Sequence, residues 1–325
     1  MRPRPSVSVV VPVYNEEECI EPLYQAIHHV CEKLPRSYEI IFVDDGSTDR
    51  TFDQLSRLHE RDPHLVVVRF RKNFGQTAAM AAGFRAARGE IIVSMDGDLQ
   101  NDPADIPRLL AKIEEGYDVV CGWRKDRKDK FVSRRLPSMI ANWLIGKITG
   151  VPIHDNGCSL KAYRASVIKR VSLYSELHRF IPAMSTLAGA RIAELVVQHH
   201  PRRFGHSKYG ISRAWRVFLD LFMVKMVTGF SARPALWFGT LSLPAGLLGL
   251  FSLLVFFLPG AQGVVWAATA FLFLALAGHL LAMGVLGEMV IYAGDFLPET
   301  MLQGAISQVR PPGYRPKGVE EISFD

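Results

Sequence analysis

Ser94-Met95-Asp96-Gly97-Asp98-Leu99-Gln100 follows directly on the apolar run Ile91-Ile92-Val93. A run this short, β-branched and bounded by polar residues reads as a buried strand. Two carboxylates, one glycine apart, then stand where that strand ends. Hard oxygen ligands in such a place suit Mg²⁺ or Mn²⁺, and an ion of that kind usually carries substrate phosphates as well. In an open α/β sheet the carboxyl edge is also where ligands collect. A lone Asp-x-Asp is more often a polar turn that caps a strand, so the reading depends on what flanks it.

Upstream, the same grammar repeats. Val7 to Val13 is an apolar strand ending in Pro12-Val13-Tyr14-Asn15-Glu16-Glu17-Glu18, and a helix from Glu18 to Leu34 opens with the negative charge its dipole favours. Glu39 to Val43 is a second strand, ending in Asp44-Asp45-Gly46-Ser47-Thr48-Asp49. Ser47 or Thr48 can cap the next helix, and Gly46 permits a tight turn. Capping does not call for two adjacent carboxylates, which make more sense as acceptors for ligand N–H or hydroxyl groups. Leu65 to Phe70 is a third strand, followed by Arg71-Lys72-Asn73-Phe74-Gly75-Gln76 and an Ala-rich helix, Thr77 to Arg88. Gly75 after a basic pair brings backbone N–H groups and the Lys72 cation near an anion; the plainer alternative is a loop of solvated charges.

Downstream come a helix from Pro103 to Glu115, a strand from Asp118 to Gly122, and the charge-dense Trp123 to Lys130. Leu136 to Ile148 is an amphipathic helix, and Arg191 to His200 an edge-type strand. Strand and helix alternate over roughly a hundred residues, which argues for a Rossmann-like, mostly parallel sheet with right-handed crossovers. A dinucleotide fold would carry G-x-G-x-x-G after its first strand. Pro-Val-Tyr-Asn-Glu stands there instead, which counts against hydride transfer.

Pro12-Val13-Tyr14-Asn15-Glu16, Val43-Asp44-Asp45-Gly46-Ser47-Thr48-Asp49-Arg50-Thr51 and Asp96-Gly97-Asp98-Leu99-Gln100 together resemble the family 2 glycosyltransferases of GT-A fold. The resemblance is nearest to the polyprenyl-phosphate glycosyltransferases, namely the dolichol-phosphate mannose synthase and bacterial undecaprenyl-phosphate glucosyltransferase groups. It implies that Pro12, Tyr14, Glu16 and Asp45, with Asp44, hold the nucleoside of a sugar donor. Asp96 lies at the ribose or the metal, Asp98 binds the metal, and Gln100 completes the protein ligands. A Mg²⁺ or Mn²⁺ ion would bridge the two donor phosphates as a Lewis acid. Arg124 and Arg134, with Ser138 one helical turn on, match a set that contacts the acceptor phosphate, for which guanidinium forks are suited. Asp155, heading Asp155-Asn156-Gly157-Cys158-Ser159-Leu160, matches the family's proposed base. A phosphate monoester is already ionised near neutral pH, so positioning an acceptor or a sugar stays open for Asp155. Arg202 and Lys208 match cations of a loop that closes on donor phosphates. His199, His200 and His206 lack the spacing of a helical zinc pair.

The last third of the sequence is of another kind. Ile211 to Ser231 mixes Trp215, Phe218 and Phe222 with Arg213, Arg216 and Lys225, as a helix lying in a lipid interface does. Ala235 to Leu258 and Val264 to Leu286 are uncharged runs, each long enough to cross the ~30 Å hydrocarbon layer. Pro259-Gly260-Ala261-Gln262-Gly263 turns between them. Basic residues flank the pair and are missing from the turn, which places both ends in the cytoplasm by the positive-inside rule. The expected organisation is a GT-A domain over 1–210, an interfacial helix over 211–233, a two-helix transmembrane hairpin over 234–293 and a loosely ordered cytoplasmic tail over 294–325.

Cys19, Cys31, Cys121 and Cys158 show no paired spacing and read as reduced thiols. Met1 to Pro5 lead straight into a strand, so no signal peptide is expected. A net charge of +6 fits nucleic acid, anionic lipid or phosphorylated substrates equally; the motifs select the last two, with no nucleic-acid partner. The implied function is inverting transfer of a hexose from a nucleotide diphosphate sugar, with UDP-glucose favoured, to a polyprenyl phosphate such as undecaprenyl phosphate. The setting is the inner membrane, with a homo-oligomer as a possible assembly. A processive polysaccharide synthase shares the opening motifs but carries a Gln-x-x-Arg-Trp segment that Ser212-Arg213-Ala214-Trp215 does not match. A non-catalytic nucleotide-sugar-binding protein would have lost the metal ligands, and Asp96, Asp98 and Gln100 are all present.

Overall fold

The computed structural model describes residues 4–125, 142–201 (apart from 144, 148, 172, 174–176 and 188), 233–258 and 263–293. Arg134, Ser138, Arg202 and Lys208, the expected interfacial helix and the tail lie outside these residues. The described residues fall into two units, divided between 201 and 233.

The first unit is built on a seven-stranded sheet. Its strands are β1 (Val7–Val13), β2 (Tyr38–Asp44), β3 (Leu65–Arg69), β4 (Ile91–Ser94), β5 (Val119–Trp123), β6 (Lys161–Arg164) and β7 (Ile192–Val196), in spatial order β3-β2-β1-β4-β6-β5-β7. β1 to β4 are mutually parallel, β6 runs antiparallel to both β4 and β5, and β7 is a parallel edge strand on β5. β6 corrects the sequence reading, which placed no strand there. Four residues beginning with a lysine carry no alternation to read, and only their two neighbours make them a strand.

The central strands are buried on both faces, which explains their unbroken Val and Ile runs. Val7, Val9, Val11, Ile40 and Phe42 pack on one face against α1 (Glu17–Glu32), α2 (Thr51–Arg61) and α4 (Ile106–Glu114). Val10, Ile41, Val43 and Ile92 pack on the other against α3 (Gln76–Ala86), α5 (Ala165–Ile168) and α6 (Ile181–Leu187). The helix expected from Pro103 begins as a 3₁₀ turn, Pro103–Asp105, because Asp102 Oδ1 accepts the Ala104 N–H at 2.9 Å and caps it there. Strand order reverses between β1 and β4. That reversal opens a crevice at the carboxyl edge, the usual ligand position in such sheets.

The second unit is a pair of helices, α7 (Pro234–Phe256) and α8 (Val264–Ala293). Both are long and apolar enough to cross a membrane. They meet through small residues. A Cβ on Gly249 would lie 2.8 Å from Leu274 Cγ, and one on Gly284 3.2 Å from Ala235 Cα. Ser242, Ala245, Ser252, Ala270 and Ala277 are buried, whereas Leu243, Leu247, Phe251, Leu254, Phe271 and Leu272 are exposed. Helices associate in this way where surrounding apolar matter takes the large side chains. Glu288 accepts the Ala235 N–H at 3.4 Å, satisfying one donor at the start of α7.

Candidate active site

Three of the acidic motifs come together at the carboxyl edge. The loops after β1 and β2 are stitched to each other. Asn15, in the left-handed region at φ 50°, donates its N–H to Ser47 Oγ at 2.9 Å and accepts the Thr48 N–H at 2.8 Å. Glu16 N–H reaches Thr51 Oγ1 at 3.0 Å, Glu17 N–H reaches Asp49 Oδ2 at 3.2 Å, and Arg50 N–H returns to Glu17 Oε2 at 3.0 Å. Ser47 therefore does not cap α2, as its position had suggested. The N-cap is Arg50, without a side-chain bond, because the Ser47 hydroxyl serves the neighbouring loop. This frame holds Pro12, Tyr14 and Glu16 half-buried beside Asp44 and Asp45.

Asp44 and Asp45 are almost fully buried. Asp44 Oδ1 accepts the Ser47 N–H at 2.9 Å; its Oδ2 is buried with no hydrogen-bond partner, and Arg69 Nε lies 3.5 Å away. Asp45 accepts the Phe74 N–H at 2.7 Å on one oxygen and the Gly75 N–H at 2.9 Å on the other. Burial pushes the Asp45 carboxyl above its ordinary range, those two N–H groups pull against the rise, and Asp44 adds to it. The sequence placed the basic loop Arg71 to Gln76 near an anion; among the described bonds, Asp45 is that anion. Gly46, at φ 71°, allows this approach, since a Cβ there would sit 2.4 Å from the Lys72 carbonyl carbon. Lys72 and Phe74 themselves are exposed, while Gly75, at φ 93°, precedes α3.

Across the crevice, Gly97 turns the Asp96–Asp98 segment against the end of β1, where a Cβ would meet Val13 Cγ1 at 2.6 Å. Leu99, at φ 61°, completes the turn. Asp98 is 8% exposed and accepts the Gln100 N–H at 3.2 Å on Oδ1. Asp96 is half-buried and accepts Gln76 Nε2 at 2.7 Å. Among the described residues, no three His, Cys, Asp or Glu side chains form a metal-holding group. A donor set of two carboxylates and an amide, one residue apart each, fits Mg²⁺ or Mn²⁺, which takes one or two protein carboxylates and fills its remaining positions with phosphate oxygens and water. It does not fit a site closed by protein ligands alone.

The structure joins two residues that the sequence had placed with different partners. Arg124 donates from Nε to Asp155 Oδ2 at 2.7 Å and from Nη2 to Oδ1 at 3.0 Å, a bidentate fork with side chains 13% and 4% exposed. Burial alone would weaken the charge on Arg124. Hydrogen bonding and the charge of Asp155 outweigh it and, with Asp96, hold the guanidinium above its ordinary value. Asp96 itself is tied to the start of α3 through Gln76, next to the Gly75 whose N–H Asp45 accepts.

The loop bearing Asp155 is pinned at each step. Asn142 Nδ2 donates to the His154 carbonyl at 2.8 Å, and Asn142 Oδ1 accepts the Asn156 N–H at 3.3 Å. Lys161, buried on β6, donates from Nζ to the carbonyls of Asn156, at 3.1 Å, and Cys158. Glu194 accepts the N–H groups of His154 and Asp155. Lys161, Glu194, Asn142 and Gln76 were missed in the sequence. A Lys in a four-residue strand and a lone Glu in Ile-Ala-Glu-Leu-Val were visible exceptions to an apolar pattern, but nothing local names their partners. Cys121 and Cys158, on the same wall, are free and buried. Burial pushes their thiols up to about 12 and about 11, so neither is a nucleophile near neutral pH.

Residues 8–172 match the model of the family described as Glycosyl transferase family 2. A dodecaprenyl-phosphate galacturonate synthase of Rhizobium johnstonii is 49% identical over 252 residues, which cover 76% of this chain and 75% of that protein. An undecaprenyl-phosphate 4-deoxy-4-formamido-L-arabinose transferase of Pseudomonas fluorescens is 38% identical over 297 residues, 89% of this chain and 86% of that one. Among solved structures, glucosyl-3-phosphoglycerate synthase from Mycobacterium tuberculosis, in complex with Mn²⁺, UDP and glucosyl-3-phosphoglycerate, aligns with a TM-score of 0.54 at 17% identity, over 69% of this chain and 79% of that one. At that identity the likeness speaks for the fold, a GT-A sheet. With a match over half its length and relatives at this level of identity, the chain belongs to glycosyl transferase family 2.

Proposed function

We propose that this chain transfers one sugar from a nucleoside diphosphate sugar to a polyprenyl phosphate at a membrane surface. The observation that carries the reading is the point where strand order reverses between β1 and β4: the Asp96–Asp98 turn lies against the end of β1, and the adjacent residues Gly75 and Gln76 bind Asp45 and Asp96. Both relatives named above bear polyprenyl-phosphate transferase or synthase names, which supports the acceptor class.

In this reading Pro12, Tyr14, Glu16, Asp44 and Asp45 shape the nucleoside pocket and Lys72 serves the donor phosphates, while the Gly75 N–H is donated to Asp45. Asp98, Asp96 and Gln100 would hold a divalent cation. When bound, that cation neutralises charge on the departing nucleoside diphosphate. Arg124, Arg134 and Ser138 are assigned to the acceptor phosphate, and Arg202 and Lys208 to the donor phosphates. An acceptor phosphate oxygen attacks the anomeric carbon, the bond to the diphosphate breaks, and the centre inverts. The fork on Arg124 favours positioning as the role of Asp155. A carboxylate gripped by a guanidinium is a weak base, and an ionised phosphate needs little deprotonation.

The resemblance had favoured glucose. The relatives are named for galacturonate and for 4-deoxy-4-formamido-L-arabinose, so we assign a UDP-linked uronic acid, with galacturonate first. α7 and α8 are assigned to the membrane, with the catalytic unit on its cytoplasmic side as the flanking basic residues require. The domain division is taken as expected from the sequence.

The test is a transfer assay with undecaprenyl phosphate across UDP-galacturonate, UDP-glucose and UDP-4-deoxy-4-formamido-L-arabinose, with and without Mg²⁺ or Mn²⁺. The expected product is a lipid bearing one sugar, made fastest from the uronate donor. Asp98→Ala should lower the rate by roughly 10²–10³-fold, the scale of losing one electrostatic stabiliser of the transition state. Unchanged transfer by Asp98→Ala in the presence of a chelator, or a polymeric product, would overturn the reading.

A further inference from the structure

Glu194 stands on β7 among Ile192, Ala193, Leu195 and Val196, paired across the sheet with Cys121 of β5. Its side chain is 15% exposed. A carboxylate this enclosed must find donors, and it finds three on two adjacent residues. Oε1 accepts the N–H groups of His154, at 2.8 Å, and Asp155, at 3.1 Å. Oε2 lies 2.7 Å from His154 Nδ1; since a carboxylate only accepts, the ring nitrogen is the donor. The His154 ring in turn stacks on Trp123, with centroids 4.3 Å apart and planes 16° from parallel.

Two chain segments therefore meet twice, side by side. Trp123 carries His154, and Arg124 grips Asp155. Glu194 holds the backbone of the second segment at the peptide that joins these two contacts. Asn142 and Lys161 pin the same loop through the carbonyls of His154, Asn156 and Cys158 and the N–H of Asn156; Glu194 supplies the bond to the N–H of Asp155 itself. Removing it leaves two backbone N–H groups and the His154 ring N–H to find new partners, and the carboxylate of Asp155 loses the fixed base from which it meets Arg124 squarely.

We propose that Glu194 is a positioning residue for transfer, which sets the angle at which Asp155 holds Arg124 and acts on the reaction only through that pair. The inference rests on the assignment of Arg124 and Asp155 to the transfer site.

The experiment measures kcat, donor KM and thermal midpoint for Glu194→Ala and Glu194→Gln, each in the wild-type chain and in an Asp155→Asn background. Glu194→Ala should lower kcat by about 10²-fold, the scale of a displaced supporting group, with donor KM within about threefold of wild type. Glu194→Gln, whose amide oxygen still accepts both N–H groups, should stay within about fivefold of wild-type kcat. In the Asp155→Asn background, Glu194→Ala should add less than about threefold, because the group it positions is already altered. Equal losses in both backgrounds, or Gln faring no better than Ala, would overturn the inference. If Glu194→Ala does not fold, Glu194→Asp carries the test: it keeps the charge but withdraws it by one methylene. Its kcat should fall at least about tenfold while that of Gln does not, and the reverse order would overturn the proposal. Wild-type rates in Asp155→Asn alone would instead reject the underlying site assignment, and the inference with it.

Discussion

At the carboxyl edge of the sheet, Asp44, Asp45, Asp98 and Asp155 are buried, whereas in α7 and α8 it is Ser242, Ser252, Ala270 and Ala277 that lie inside and Leu243, Leu247, Phe271 and Leu272 that stand outside. The first region inverts the habit of soluble proteins locally, and the second inverts it over whole helices. A buried carboxylate persists only where N–H groups or a guanidinium replace water, and here Phe74, Gly75, Ser47 and Arg124 do so. A sleeve of exposed leucine persists only where the surroundings are apolar, because helices that satisfy their own backbone need nothing else from a membrane. In the proposed reading the two regions answer to different solvents, and each imposes its own penalty on the wrong side chain.

The hardest way to break this contrast is to empty the ion pair. Asp155→Ala leaves Arg124 enclosed without its fork and should destabilise the first unit by about 3–5 kcal/mol, read by chemical unfolding of the detergent-solubilised chain. A change below about 1 kcal/mol would mean that the pair is as dispensable as a surface one. Next comes a charge on the sleeve. Leu247, 65% exposed and midway along α7, would cost about 2.5–3.5 kcal/mol as Arg at the centre of a span, so Leu247→Arg should shift the protein out of the membrane fraction. A helix facing water would tolerate the same change within about 0.5 kcal/mol. The mildest probe sharpens the edge of the sheet. Gly97→Ala drives a methyl toward Val13 Cγ1, 2.6 Å away, and should cost about 1–3 kcal/mol by overpacking, seen as a lower thermal midpoint. Stability equal to wild type would show that the Asp96–Asp98 turn is not held against β1.

Legibility differed between the same regions for a physical reason. β1, β2 and β4, with the acidic turns after them, could be read because parallel strands buried on both faces are written as nearly continuous apolar runs, and edge strand β3 because it keeps the same Val run. α7 and α8 could be read because a long uninterrupted apolar run is itself the signal of such a helix, although α8 continues to Ala293, beyond the expected Leu286. The partners of the site residues could not. Arg124 and Asp155 lie 31 positions apart, and Asp155 and Glu194 lie 39 apart. Asp45 was read as a ligand acceptor, yet its described bonds go to the loop at Phe74 and Gly75.

Periodicity and composition record the environment each side chain must meet, and that by itself determined every strand but β6, the acidic turns after β1, β2 and β4, and the two apolar helices of this chain. Which donor answers which acceptor depends on the order in which strands lie side by side. The insertion of β6 between β4 and β5, and the docking of β7 on β5, bring Lys161, Arg124, Asp155 and Glu194 onto one wall. Only the tertiary structure decided that, because a hydrogen bond is satisfied by direction and distance, and neither is written in the identity of a single residue.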